Sequence, residues 1–220
     1  MKGLLLKDLA LLKNQSNYIL VVVAISLFML FSGNDSVFII SYSVMLFAMF
    51  GISTLSYDYF NNGYAFLFTL PITRKLYVLE KYVFSLLCVL AGSVIALALM
   101  YVGSLIRESV SFSSDDVSFV VGYVFGAMIF LTFVLPIQMK FGPEKGRIGM
   151  LVFFMLILAM GTGIKNVMGT EKVVELFAKL STKLSFMAPT ILLGLLGIFA
   201  MILLAISYLV SCKIMMNKEF

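Results

Sequence analysis

Long apolar blocks separated by short polar stretches run the length of the chain, the pattern of membrane spans and not of an alternating sheet or an amphipathic bundle. Six blocks come near the ~17–25 residues needed to cross a bilayer: Asn17–Ser32, Val37–Leu55, Tyr82–Ile106, Phe119–Gln138, Ile148–Ile164 and Pro189–Ser211. The tight Gly33-Asn34-Asp35-Ser36 link pairs the first two as a helical hairpin. No small-x-small cleavage site follows the first block and a second span begins almost at once, which argues against a cleaved signal peptide. The pattern predicts one all-α transmembrane domain over residues 1–220, with six spans.

Three segments outside the spans are predicted to be helical. Residues 1–16 form an interfacial helix with Leu5, Leu9 and Leu12 on one face and Lys7 and Asn14 opposite. Residues 165–188 contain an amphipathic helix, with Val173, Leu176, Phe177, Leu180 and Leu184 on one stripe and Glu171, Glu175 and Lys179 on the other. The stretch 56–81 between spans two and three is richer than a connector needs to be. Pro71 breaks any helix through it, and Thr73 is placed to cap a new one carrying Arg74, Lys75 and Glu80 into the third span. The loop Glu108–Ser118 is polar and reads as a solvated external turn.

Composition supports the same solvent: 62% of residues are hydrophobic and 12% charged, where soluble domains carry about 25% charged. Charge then sets the orientation. Of the 16 lysines and arginines, eleven flank the side holding both termini and the 56–81 stretch, and five flank the other. Both termini are therefore expected in the cytoplasm, and the 165–188 helix outside.

Catalytic chemistry is missing. The chain has no histidine, which removes His-based acid–base catalysis, Ser-His and Cys-His dyads and imidazole metal sites. Cys88 and Cys212 have no companions at metal-ligand spacing. Gly142-Pro-Glu-Lys-Gly-Arg lacks the spacing and the Lys-Ser/Thr pair of a phosphate-binding loop, so ATP hydrolysis needs another chain. No basic run with interleaved aromatics points to nucleic acid. None of the carboxylates falls in the middle of a span, which speaks against ion-coupled transport, and Asp115-Asp116 read as solvated. Span hydroxyls such as Ser41, Ser43, Ser85, Ser93 and Thr132 are expected to bond their own helix backbone. Gly122-x-x-x-Gly126, and Gly194-x-x-Gly197 in the last span, offer close helix approach. Packing inside the chain and packing against a second permease both fit.

The segment Tyr64-Ala-Phe-Leu-Phe-Thr-Leu-Pro-Ile-Thr-Arg-Lys-Leu-Tyr-Val-Leu-Glu-Lys-Tyr82 resembles ABC-2-type transporter permeases, in particular small six-span members with a Leu-Pro-Ile-Ser/Thr-Arg motif after the second span. The resemblance covers nearly the whole chain in layout and is residue-specific around Leu70–Arg74. It implies that Tyr57–Leu70 is a coupling helix docking on a separate ATP-binding subunit. Phe60, Tyr64, Phe66, Leu67, Phe68, Leu70 and Pro71 would be anchors, with Arg74 and Lys75 meeting acidic groups or lipid phosphates. Insertion of the same segment into the cytoplasmic leaflet is the competing reading. Family architecture further implies two ATPase copies that hold the ATP and Mg, and a second, identical or related permease in a bacterial cell membrane. The expected substrates are amphipathic peptides, as for permeases of bacteriocin or phenol-soluble modulin exporters. The rival from another class is a non-transporting immunity protein that sequesters such a peptide.

Overall fold

The computed structural model describes residues 2–14, 16–31, 36–60, 63–106, 114–168 and 189–218. Among them the regular elements are helices: α1 (Lys2–Asn14), α2 (Ser16–Phe31), α3 (Ser36–Tyr59), α4 (Gly63–Leu67), α5 (Arg74–Ile106), α6 (Ser114–Met168) and α7 (Pro189–Met216). Four are long and apolar enough to cross a membrane, over Val37–Tyr59, Arg74–Leu105, Asp116–Ile148 and Ile191–Met216; the bent pair α1–α2 makes a fifth if it counts as one broken span. The result is an all-helical membrane protein. The expected outer helix, with Val173, Leu176, Phe177, Leu180 and Leu184, lies outside the described residues.

The centre of the bundle is α3 against α5, with α6 and α7 packed together alongside. Small residues set the first contact. A β-carbon on Gly51 would come within 2.7 Å of the Ser85 Cα, and one on Gly92 within 2.5 Å of the Phe47 Cβ, so both glycines let α3 and α5 touch closely. At Gly122 and Gly126 a side chain would meet nothing within 4 Å among the described residues, so neither glycine sits at a close helix contact there; Gly197 does, against the Phe125 ring.

Polar side chains add cross-links. The Tyr82 hydroxyl lies 2.6 Å from Ser207 Oγ and 2.8 Å from Ser211 Oγ, and Ser207 donates to the Thr132 carbonyl at 2.6 Å, joining α5, α7 and α6. Ser41, Ser93 and Thr132 donate to their own helix backbones as expected. Ser43 instead meets Ser26 of α2 at 3.2 Å.

Helix α6 is broken at Gly142, whose φ of 79° and ψ of 174° leave the helical region. In an unbroken helix residues 138 and 146 stand about 12 Å apart. Here a β-carbon on Gly146 would lie 3.3 Å from the Gln138 Cα, so the chain doubles back at Gly142-Pro143 and α6 has two arms. This position needs glycine: a left-handed φ disfavours a side chain, and a β-carbon there would sit 2.7 Å from the Tyr59 ring.

One expectation requires correction: Asp116, read as solvated, is buried. Helix α1 packs on the bundle through Leu4 and Asp8, one turn apart, and leaves Leu9 exposed.

Candidate functional site

The proline and threonine act as the sequence demands. Pro71 has no N–H to donate and disfavours helix at the residue before it. Ile72 N instead closes a tight turn on the Leu70 carbonyl at 2.6 Å. Thr73 then accepts from Leu76 N at 3.3 Å through Oγ1, an N-cap that starts α5 at Arg74. Upstream, the expected helix over Tyr57–Leu70 is not continuous. Helix α3 runs on to Tyr59, α4 is a single short helix over Gly63–Leu67, and hydrogen-bonded turns carry the chain from Phe68 to Leu70.

This folding divides the suggested docking residues into two groups. Tyr64 and Leu67 are buried, and Phe68 stacks on Tyr64 with its ring edge toward Tyr77. The Arg74 guanidinium lies over Phe68 and donates to the carbonyls of Met215, Met216 and Lys218, capping the C-terminus of α7, where a cation meets the negative helix end. These four hold the chain together. Phe60, Phe66, Leu70, Pro71 and Lys75 face outward, Phe66 with 70% of its surface accessible. The structure thus brings an exposed apolar edge onto a packed base.

Beneath that base lies a cluster of buried charge that the hydropathy pattern did not reveal. Lys81 of α5 is fully buried and bonds Asp8 of α1 at 2.5 Å, Asp58 of α3 at 2.7 Å and the Thr54 hydroxyl at 3.2 Å. Lys7 pairs with Asp58 from the other side, and Tyr77 donates to Asp58 at 3.0 Å. Glu80, also fully buried, lies 3.9 Å from Lys81 Nζ, and among the described residues neither of its oxygens has a hydrogen-bond partner. Asp8 Oδ1 lies 3.3 Å from Lys7 Nζ without hydrogen-bond geometry. The charges of Lys81, Asp8 and Asp58 are tolerated out of water because they pair this closely.

Lys218, beyond the end of α7, extends the network. It donates to the Met139 carbonyl at 2.8 Å and sits 5.3 Å from both the Tyr59 and Tyr64 rings. Desolvation lowers its ammonium pKa, and burial pushes the Tyr64 phenol well above its ordinary value, so Tyr64 is a neutral wall at physiological pH. Together these contacts join α1, α3, α4, α5, α6 and α7 at one end of the bundle.

A signal for the cluster exists in the sequence. Asp58 sits between Tyr57 and Tyr59, and Glu80-Lys81 between Val78-Leu79 and Tyr82-Val83, so the charges are set into apolar runs with no polar face to carry them outward. The span boundaries drawn from hydropathy stop short of all of them. Among the described residues no group of His, Cys, Asp and Glu has metal-site geometry.

The sequence matches the family described as ABC-2 family transporter protein over residues 3–216. No curated protein and no solved structure matches the chain significantly. With an all-helical membrane fold and a match over nearly its whole length, the chain belongs to the ABC-2 transporter family: it is a multi-pass permease subunit of an ABC transporter, a membrane component that works with an ATP-binding subunit.

Proposed function

We propose that this permease couples ATP hydrolysis on its partner to the export of hydrophobic or amphipathic molecules, peptides above all, across a bacterial cell membrane. In this reading the second arm of α6 is a span of its own and α1–α2 supply another, giving six, with both termini in the cytoplasm. Two ATPase copies, carrying ATP and Mg, serve two permeases, either identical or related. The charge bias of the loops supports the orientation, and the fold-back at Gly142 supports the count.

The observation that carries the coupling role is the exposed edge formed by Phe60, Phe66, Leu70 and Pro71 over a buried ionic base. Exposed aromatics on a rigid support suit a pocket on a partner. Displacing that edge moves α3 and α5 together, because Lys81 and Asp58 tie their ends. ATP-driven motion then becomes a tilt of the spans. Gly122 and Gly126, bare on α6, suit the contact with the second permease.

Co-purification with the ATPase tests the docking surface. Phe66→Asp is expected to abolish recovery of the ATP-binding subunit from mild detergent and leave the permease folded, since Phe66 contributes little to the core. Wild-type recovery with Phe66→Asp would refute the assignment.

A further inference from the structure

The buried cluster holds more acid than base. Asp8, Asp58 and Glu80 bring three buried carboxyl groups to it, while Lys81 and the partly exposed Lys7 bring two ammonium groups. Asp58 is satisfied on both oxygens, by Lys7 on one and by Lys81 and Tyr77 on the other. Asp8 is satisfied on one: Oδ2 accepts from Lys81, but Oδ1 has only Lys7 at 3.3 Å, outside hydrogen-bond geometry. Both Glu80 oxygens lack a donor among the described residues. The two lysines balance the two aspartates, so an ionised Glu80 would be a negative charge sealed from water with no counter-ion of its own. It would also face a like charge. Asp8 Oδ2 and Glu80 Oε2 approach the same Lys81 ammonium, at 2.5 and 3.9 Å, and the two carboxyl groups lie within hydrogen-bond reach of each other. Carboxylates brought together in this way do not both keep their charge.

We propose that Asp8 and Glu80 form a binding site for one proton, shared between them, which latches α1 to α5. The Glu80 carboxyl donates its O–H to Asp8 Oδ1, so a single proton supplies the donor that Asp8 lacks and brings the cluster to zero net charge. That hydrogen bond crosses to α1 at Asp8, one of the two buried positions, with Leu4, through which this helix is held. Loss of the proton to solvent leaves three carboxylates against two ammonium groups, and the repulsion acts across the α1–α5 contact. The titratable groups facing the pair or its counter-ions are Lys7 on α1, Asp58 on α3, Tyr64 on α4, and Tyr77, Lys81 and Cys88 on α5. A cleft of about 510 Å³ lined by Leu4, Lys7, Asp58 and Phe66 opens onto the rim of the cluster, which gives the proton a way in and sets α1 beside the exposed edge. The inference needs neither the docking role of that edge nor the transport reading.

The test is infrared spectroscopy of the purified full-length permease in an ester-free detergent, reading the carbonyl stretch of protonated carboxyl groups, which stands apart from the carboxylate bands. Wild type should show this band at neutral pH, where solvated carboxyl groups are ionised. Glu80→Gln should lose it and purify as wild type does, because the amide donates to Asp8 Oδ1 in place of the proton. Asp8→Asn should lose it too, although Glu80 is intact, because the two lysines then balance Asp58 and an ionised Glu80. Where Asp8→Asn does not purify as a single species, Asp8→Ser replaces it. On raising the pH until the wild-type band is gone, the α1 amides should exchange with solvent faster in wild type than in Glu80→Gln at the same pH. Absence of the band from wild type at neutral pH, or its persistence in Glu80→Gln, overturns the proposal. Survival of the band in the Asp8 variant would give the proton to Glu80 alone and overturns the shared site; equal α1 exchange overturns the latch. No ATPase is present in the assay, so its outcome and that of the docking test are independent.

Discussion

Lys81 ties three helices of this structure together. Its ammonium group is fully buried and contacts carboxylates from two other helices, Asp8 of α1 and Asp58 of α3. Such a pair adds little over a well-packed apolar alternative, yet removing one partner strands the other. Lys81→Met is expected to cost about 3–5 kcal/mol, seen as a lower thermal midpoint in detergent. The Lys81→Met, Asp8→Leu double variant should recover part of that loss, because Asp58 keeps Lys7 and Tyr77. If the double variant is as unstable as the sum of its parts, Asp8 and Lys81 are not coupled. The charge on these residues was plain in the sequence, but not their depth. Burial depends on which helices meet there, and Asp8 reaches Lys81 across 73 positions of chain.

Among the elements, those governed by local rules agree with their sequence. Thr73 caps α5 where Pro71 has ended the preceding turn, a matter of one missing N–H and one hydroxyl. The α6 reversal also has a local cause, the left-handed backbone of Gly142, but its tolerance depends on Tyr59 packing over it. Gly142→Ala therefore faces both backbone strain, about 1–3 kcal/mol, and a collision with the Tyr59 ring. We expect a lower thermal midpoint than wild type, and Tyr59→Ala in the same background should relieve the collision but not the strain. Full recovery by Tyr59→Ala would show that the backbone conformation costs nothing there. Helix α1 illustrates the opposite case. With leucine on nearly every side, its apolar pattern could not choose a face, and the ion pair of Asp8 with α5 chose it.

For the whole molecule, the expected topology is open to chemical labelling. In a background where the buried Cys88 and Cys212 are replaced by alanine, a membrane-impermeant maleimide applied to intact cells should modify Ser111→Cys. Lys75→Cys should react only after permeabilisation. The reverse pattern would invert the molecule, and labelling of both from outside would break the even span count. At this scale the helices are joined toward one end of the bundle: Arg74 holds the close of α7, Lys218 reaches Met139 of α6, and Tyr82 bonds Ser207 and Ser211. A push on the α4 end therefore meets one connected body.

By itself, the sequence determined the solvent, the helical class and the break at Pro71. Each of these follows from composition, from apolar run length or from a single missing group, and so is written locally. Tertiary structure alone decided that Tyr64, Leu67, Phe68 and Arg74 face inward while Phe60, Phe66 and Leu70 face out. It also decided that, among the described residues, Gly51 and Gly92 and not Gly122 and Gly126 bring helices together, and that five ionisable side chains sit beneath that exposed edge. Those outcomes depend on contacts between distant segments, and hydropathy, which averages over neighbours in sequence, has no access to neighbours in space.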